Sequence, residues 1–414
     1  MACEKAPLAP RRTSRVVRWS ILGIVLLGIT ILGVGHQYGG VGKPVGVDAL
    51  CPFGGLETLG TLLAGGFLIK RVAVSSVLLL VAAVITAFVF RRAFCGRICP
   101  LGFLQEIFGG IGKRLFGRRF TVPAAIDRPA RYLKYVLLAA ILALSWSTAT
   151  LVIRPYDPWA AYQHISSPEL LTEFGIGFAV LLVGLVGSLA YDRFFCKYAC
   201  PMGAFLGLIS RVSVFKVRRS AETCVDCGVC DRACPVNVTV STVDTVTDPE
   251  CIDCGECVAA CPVKDTLAVS AGPDRRLTPV VAAIASVGLF AALVAGATLT
   301  GDFAWTMPTL GGELERRAGD AGLPTGSATF DSSLIKGSTT VSEITDAAGI
   351  PPEVFTSVYG IPEAEQAQAL KDLKDIYGAY PGDVRAFVDA YLADPSVADT
   401  YVPGQFHSEE DEDH

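Results

Sequence analysis

Five stretches of the chain, residues 19–35, 72–90, 135–153, 174–191 and 277–301, run apolar without a single charged residue. Each is near or above the roughly 17–25 residues that cross a bilayer, and Lys or Arg brackets them, so the pattern predicts five transmembrane helices. A shorter apolar run at 59–69 suits a half-helix or re-entrant piece. The first run is too long for an ordinary signal-peptide core and no small-residue cleavage site follows it, so it is expected to stay as an anchor.

Orientation follows from the flanking cations. Lys5, Arg11, Arg12, Arg15 and Arg18 precede the first run, and residues 91–134 carry ten Lys or Arg, against four in the connections 36–71 and 154–173 together. The positive-inside rule then puts the N-terminus and segments 91–134 and 192–276 in the cytoplasm and the C-terminal region outside.

Composition agrees with a membrane protein: 51% of residues are hydrophobic and only 18% charged, against roughly 25% charged in soluble domains. The net charge of -5 excludes a basic nucleic-acid binder. Charge is unevenly spread, because residues 299–414 hold 6 Lys or Arg and 21 Asp or Glu.

The membrane part is duplicated. Phe94-Cys95-Gly96-Arg97-Ile98-Cys99-Pro100-Leu101-Gly102-Phe103 returns as Phe195-Cys196-Lys197-Tyr198-Ala199-Cys200-Pro201-Met202-Gly203-Ala204, each copy directly after an apolar run. A weaker echo links Cys51-Pro52-Phe53-Gly54 with Asp157-Pro158-Trp159-Ala160. The repeating unit is helix, outer loop, helix and a Cys-x-x-x-Cys-Pro corner. Two copies in the same orientation are related by an axis along the membrane normal, which brings both corners to the cytoplasmic face.

Twelve of the fourteen cysteines lie in four tight groups, which points to metal ligation before disulfides. Cys224-x-x-Cys227-x-x-Cys230-x-x-x-Cys234-Pro235 and Cys251-x-x-Cys254-x-x-Cys257-x-x-x-Cys261-Pro262 each reproduce the bacterial two-cluster ferredoxin run. Three closely spaced thiolates wrap one cubane corner and the fourth ligates the other cluster. Cys224, Cys227, Cys230 and Cys261 are therefore expected at cluster one, and Cys251, Cys254, Cys257 and Cys234 at cluster two. Gly228 and Gly255 let the loops turn without a Cβ clash. A zinc ribbon would need only four ligands in two Cys-x-x-Cys knuckles.

With the two corners at 95–102 and 196–203 and the doubled motif at 224–262, the chain resembles the polytopic iron-sulfur (polyferredoxin) membrane proteins. That group includes the quinol-dehydrogenase subunit of periplasmic nitrate reductase, the membrane regulator of nitrous oxide reductase and the oxidase-assembly ferredoxin. The resemblance covers roughly residues 15–300. It implies passage of electrons between membrane or cytoplasm and a periplasmic redox protein. The long acidic C-terminal region departs from the group.

The corner residues Cys95, Cys99, Cys196 and Cys200 leave several chemistries open. Each pair is four residues apart, about 5–6 Å at Cβ on a helix, and Pro after the second Cys disfavours helix there. Together they could hold an additional cluster, a Cu(I) or similar soft-metal site, or a redox dithiol, or serve only as structural thiols. Cys51 reads as a packed thiol at a turn. His36, Tyr38, Asp157 and His164 mark a candidate quinone region on the outer side. No Cys-x-x-Cys-His or phosphate-binding loop is present.

Beyond the last run, 310–329 reads as a linker. Thr340-Val341-Ser342-Glu343 reads as a capping box, Gly349-Ile350-Pro351 and Gly360-Ile361-Pro362 punctuate the helices that follow, 383–392 forms another helix, and 409–413 is an acidic tail. This acidic helical module suits docking of a basic cytochrome or a reductase subunit.

The expected architecture is an α-helical integral membrane protein of about five transmembrane helices, carrying a cytoplasmic two-cluster 4Fe-4S ferredoxin insert and a small helical extracytoplasmic C-terminal domain. Its segments are 1–18, the membrane repeats 19–134 and 135–215, the ferredoxin domain 216–273, the fifth span 277–301 and the outer region 302–414. Such a chain sits in a bacterial or archaeal cytoplasmic (inner) membrane. It is expected to pass electrons between a cytoplasmic ferredoxin or quinone and an extracytoplasmic redox protein, as a subunit of an oxidoreductase complex. The alternative is an assembly or regulatory factor supplying electrons or Cu(I) to a maturing metalloenzyme.

Overall fold

The computed structural model describes residues 8–38, 44–46, 50–65, 74–117, 120, 122–167, 169–272, 275–306, 309–320 and 330–404. Cys3 and the acidic tail lie outside the described residues. The chain forms two compact units, Met1–Gln37 with Val45–Ala304, and Tyr38–Pro44 with Trp305–His414.

The first unit begins with α1 (Leu8–Tyr38), α2 (Pro52–Gly65), α3 (Val74–Phe90), α4 (Ala93–Arg97) and α5 (Pro100–Phe116). It continues through α6 (Ala124–Ala130), α7 (Leu133–Thr148), α8 (Pro158–Gln163), α9 (Glu169–Thr172), α10 (Gly175–Ala190), α11 (Phe194–Tyr198) and α12 (Pro201–Ser210). Then come β1 (Lys216–Arg219), α13 (Val229–Ala233), α14 (Glu256–Ala260), β2 (Leu267–Ser270), β3 (Arg276–Leu277) and α15 (Pro279–Leu299).

Among the described residues two helices, Thr13–Tyr38 and Pro279–Leu299, are long and apolar enough to cross a membrane. The helices of the other three apolar runs are shorter. α7 stops at Thr148 because Ala149 is left-handed (φ 53), and α10 is followed by Arg193, also left-handed (φ 57). All five keep large apolar side chains on their outward faces, among them Ile24, Phe88, Val136, Val183 and Ile284. The predicted half-helix starts earlier than its apolar run, at Pro52, and Phe53, Leu56 and Thr58 on α2 are buried. The weak echo between outer loops is visible in the fold: Pro52 and Pro158 both open helices, where a missing N–H costs nothing.

The insert between α12 and α15 is built on the antiparallel sheet β1-β2-β3, with Val217 opposite Val269 and Val269 opposite Leu277. Val217, Val236, Val238, Val240, Val246, Ile252 and Val269 pack beneath it. The insert is fastened to the helices by buried arginines. Arg91 donates to the carbonyls of Val246 and Asp248 at 2.7 and 2.5 Å, and Arg92 to that of Pro249 at 3.0 Å. These cations, counted above as orientation signals, are fully buried.

The second unit contains α16 (Leu310–Asp320), α17 (Val341–Ala348), α18 (Pro352–Tyr359), α19 (Leu370–Tyr377) and α20 (Pro381–Ala393). The linker expected at 310–329 is corrected in its first half: Leu310 and Leu314 enter the apolar core and hold a helix together. The capping box forms, with Glu343 N–H donating to Thr340 Oγ1 at 3.1 Å and Thr340 N–H to Glu343 Oε2 at 3.0 Å. The unit is itself a tandem repeat. α17 and α19 each end on a left-handed glycine, Gly349 and Gly378, and each is followed by a helix opening on proline. Their preceding residues, Thr340 and Ala369, pair across an antiparallel bridge.

Candidate iron-sulfur and thiol centres

The two ferredoxin loops have the same backbone. Asp226 and Asp253, and Gly228 and Gly255, hold positive φ of 47, 51, 62 and 74°. Glycine adopts this freely and Asp tolerates it, and alternating handedness of this kind turns successive amides toward one point. The short helices α13 and α14 follow, and Cys234 and Cys261 leave them in extended conformation.

Two cavities lie between these loops. One, of about 360 Å³, is lined by Cys224, Cys227, Cys230 and Cys261, with Arg219 and Ser241 at its wall. The other, of about 350 Å³, is lined by Cys234, Cys251, Cys254 and Cys257 and walled by Val217, Val236, Val238, Val240 and Val246. Each thus offers four soft ligands around a hollow. Among the described residues no three His, Cys, Asp or Glu converge closely enough to hold a single ion. A tetrahedral zinc site, with Zn–S of about 2.3 Å, needs such convergence; a polynuclear cubane does not. The donor set and the hollow fit 4Fe-4S clusters. Burial pushes the Cys234 thiol up to about 11 and Cys254 to about 12, so ligation must strip protons from buried thiols.

The cavities differ in exposure. Val225, in the first loop, is 56% exposed, whereas Ile252 at the matching place in the second is 1% exposed. The second loop is pressed onto the first corner: a Cβ on Gly96 would stand 2.1 Å from the carbonyl oxygen of Ile252. Asp253 is ion-paired with Arg97 at 3.1 Å, and Arg97 also donates to Ala282 O and Ser286 Oγ, both at 2.8 Å, which ties corner, insert and α15 together.

At the corners, Cys95 lies in α4 and Cys196 in α11, while Cys99 and Cys200 are extended residues that cap α5 and α12. Each pair therefore spans a helix break, because the following Pro forbids helical geometry at the second Cys. Gly203 N–H donates to Cys200 Sγ at 3.3 Å. The repeats interlock here. Gln105 of α5 donates to Cys196 Sγ at 3.2 Å and accepts from Cys196 N–H at 3.3 Å. Arg193 donates to Cys95 O at 2.7 Å and pairs with Glu106, which also pairs with Arg18. Burial raises the thiols of Cys99, to about 12, and of Cys196 and Cys200, and the neighbouring corner cysteines add to the rise in each case. All four corner thiols are thus mutual neighbours.

Asp157 caps α8, accepting from Trp159 N–H at 2.9 Å. His164 is buried, its Nδ1 2.9 Å from Ala160 O and its ring stacked on Phe174. His36 lies beside Gly46, and Tyr38 is 70% exposed and belongs to the second unit. Ser76 Oγ donates to the carbonyl of Cys51 at 2.5 Å. Sequence reasoning missed Glu57, a buried carboxylate on α2 that accepts from Ser145 Oγ at 2.7 Å and Ile153 N–H at 3.3 Å. It also missed the buried Arg18, Arg97, Arg193 and Lys134. Arg92 and Arg193 stand at the same place before the repeated Phe-Cys pair, a signal that was legible.

Comparison with known proteins agrees with this geometry. The family described as "4Fe-4S binding domain" matches twice, at residues 72–119 and 174–220, and "4Fe-4S dicluster domain" matches 216–262. The Escherichia coli protein YccM, named as a candidate electron transport protein, is 36% identical over 214 residues, 51% of this chain and 59% of its own. The Methanocaldococcus jannaschii protein MJ0750 is 30% identical over 198 residues, 46% of this chain and 75% of its own. The ferredoxin-type protein NapH of Escherichia coli is 29% identical over 219 residues, 51% of this chain and 71% of its own. The chain spans about three fifths of the length of YccM. No solved structure matches it. Two 4Fe-4S clusters follow, and the chain belongs to the membrane polyferredoxin family of NapH- and NosR-like proteins.

Proposed function

We propose that the chain is a cytoplasmic-membrane electron conduit, with electrons exchanged at a solvent-facing cluster and carried inward to the membrane edge. In this reading Cys224, Cys227, Cys230 and Cys261 hold the outer cluster, and Cys251, Cys254, Cys257 and Cys234 the inner one. The observation that carries it is the asymmetry between the two loops: Val225 is exposed, while Ile252 is buried against Gly96 of the first corner. Bound there, 4Fe-4S clusters supply one-electron storage and transfer. The protein's part is insulation and spacing. Five valines wall the inner cavity, and Arg91, Arg92 and Arg97 fix the insert to the helices so that the two sites keep one separation.

The topology that suits this role has five spans. It is supported by the apolar outward faces of α1, α3, α7, α10 and α15 and by the Lys and Arg bias, with residues 1–18 and 216–273 inside and 302–414 outside. The partner on the inner side is a one-electron carrier such as a cytoplasmic ferredoxin. Beyond the corner cysteines the other terminus is a quinone or an extracytoplasmic redox protein, in an oxidoreductase complex. Asp157 and His164 serve α8 and its packing, which leaves His36 as the outer-side group of the first unit for quinone.

The test is anaerobic purification of the full chain in detergent, reduction with dithionite, and rapid mixing with a short-chain quinone. Reoxidation of both cluster signals at rates set by quinone concentration supports the conduit. Clusters that stay reduced, together with stoichiometric Cu(I) uptake by the corner cysteines, would mean the assembly-factor alternative.

A further inference from the structure

The two repeats differ just past their corners. α5 runs for 17 residues where its counterpart α12 runs for 10, and the far end of α5 is pressed onto the end of α10. A Cβ on Gly112 would stand 1.8 Å from the carbonyl oxygen of Leu189, and one on Gly109 2.2 Å from Asp192 Oδ1. With glycines on that side, the opposite side of the same turns carries Ile111, Arg114 and Leu115. All three are exposed, Leu115 at 68%, and so is Phe116, which closes the helix. The added length therefore buries little of its own apolar surface.

The short helix α6 repeats the arrangement. Its inward side is fixed by Asp127, which accepts from Tyr198 Oη–H at 2.6 Å and pairs with Arg131 at 2.7 Å, while Arg131 also donates to the carbonyl of Val236 at 3.1 Å. Ile126, 61% exposed, and Arg128 are left facing out. From there the exposed Tyr132, Leu133 and Val136 carry the apolar surface directly onto the outward face of α7. Arg114 and Arg128 have no ion-pair or hydrogen-bond partner among the described residues. Residues 113–131 hold six Lys or Arg against one Asp. Bare apolar side chains thus alternate with unpaired cations, a pattern that water alone does not favour.

We infer that the end of α5 and the helix α6 bind anionic phospholipid headgroups of the cytoplasmic leaflet, with Arg114 and Arg128 on the phosphates and Leu115 and Ile126 at the acyl boundary. Four to eight Lys or Arg beside a span match an anionic leaflet in charge, and an interfacial helix sinks its apolar side about 5–10 Å into the headgroup layer. The long cationic side chains reach back to the phosphates while their stems stay in the apolar layer. A second copy of the chain would set six more cations against these, which repel. An acidic protein would satisfy the charge, but the surface continues without a break into the face of α7 that the five-span reading gives to lipid. The inference rests on that reading.

The full chain, purified anaerobically in detergent, is titrated with phosphatidylglycerol and separately with phosphatidylcholine, and bound lipid is counted by native mass spectrometry. The wild type should prefer phosphatidylglycerol. Each cation near an anionic surface strengthens attachment about fivefold, so Arg114→Gln/Arg128→Gln should weaken that lipid by about 25-fold and leave phosphatidylcholine unchanged. Lys336→Gln/Lys374→Gln removes the same charge from the second unit and should bind like the wild type. Retained ferredoxin EPR signals show that each variant is folded. An equal loss in both double variants, no loss in either, or no preference in the wild type overturns the proposal and makes an acidic protein the better cover. Leu115→Trp, in nanodiscs, tests the apolar half: its added emission should be quenched by brominated phosphatidylglycerol, and unquenched emission puts residue 115 in water and overturns the proposal too. Reoxidation of the clusters by quinone, read on the same samples, should be equal in all of them. Its absence throughout, with the lipid preference kept, would sink the conduit alone.

Discussion

The Cα of Gly96 is packed against the carbonyl of Ile252, so closely that a methyl group on it would lie 2.1 Å from the oxygen. This contact joins the first corner to the loop carrying Cys251 and Cys254. Gly96→Ala must therefore push the insert away from the helices, at a cost of about 2–3 kcal/mol. The expected result is loss or broadening of the inner cluster's EPR signal with the outer cluster retained. Lys197 holds the equivalent place in the second corner and instead donates to Asn237 Oδ1 at 2.6 Å, so Lys197→Ala should be milder.

The crossing of the fourth ligands can be read one cluster at a time. Cys261 lines the solvent-facing cavity and Cys234 the inner one, although each belongs in sequence to the other motif. Cys261→Ser should remove the exposed cluster, the one that fast reductants reach first, and Cys234→Ser the buried one. Redox titration followed by EPR distinguishes these outcomes, and loss of the same signal in both variants would refute the exchange.

Motif spacing carried the iron-sulfur chemistry, because ligand spacing is a local property of the chain. The repeat carried the pairing of the corners, because duplicated sequence implies duplicated structure. What spacing could not convey is how the insert is held. Arg91 and Arg92 look like orientation charges in sequence, yet they bond to carbonyls more than 150 positions away. Such contacts have no local signature. The same holds for α16, where Gly and charge suggested a linker but Leu310 and Leu314 found a core supplied by later helices. The outer residues show the converse: Asp157 and His164 carry chemistry in principle, and the structure adds what no spacing announces, a cap and a ring stack that hold them in place.

Glu106 fixes the acid limit of this assembly. Against the upward push of burial, the guanidiniums of Arg18 and Arg193 hold its carboxyl down at about 2. A carboxyl depressed in the folded state stabilises fully above its unfolded value and loses that contribution as pH falls toward its folded one. The stabilisation, roughly 3 kcal/mol, is thus present at pH 7 and disappears between about pH 4.5 and 2. Glu106→Gln should flatten this part of the melting profile and lower the neutral-pH stability by about 3–5 kcal/mol, since two buried guanidiniums lose their shared partner.

In the second unit the capping box offers a graded test. Thr340 satisfies the start of α17 and at the same time pairs with Ala369 through its backbone. Thr340→Ala removes the side-chain acceptor and keeps the bridge, for a loss of about 1 kcal/mol. Gly349→Val and Gly378→Val each force a β-branched residue into φ near 70°, which should cost more than the lost cap. Limited proteolysis of the full chain should rank them in that order, and equal protection in all three would mean that the tandem hairpins are not the unit's stabilising element.

The five-span topology makes a prediction that two spans do not. With an odd number of crossings, a reporter that is active only outside the membrane should work when fused after Gly404 and fail when placed in the insert, for instance after Arg275. The helix α15 alone separates these positions, so the pair tests that span. A second pair, in the turn at 150–152 and after Arg211, brackets α10 and should split in the same way. α10 is 16 residues long, about 24 Å at 1.5 Å per residue, short of the ~30 Å hydrocarbon core. Its crossing therefore requires local thinning or help from the polar corner at its end. If the reporter behaves identically at both of these sites, α3, α7 and α10 form a buried bundle between two anchors, and the corner cysteines lose their place at the membrane edge.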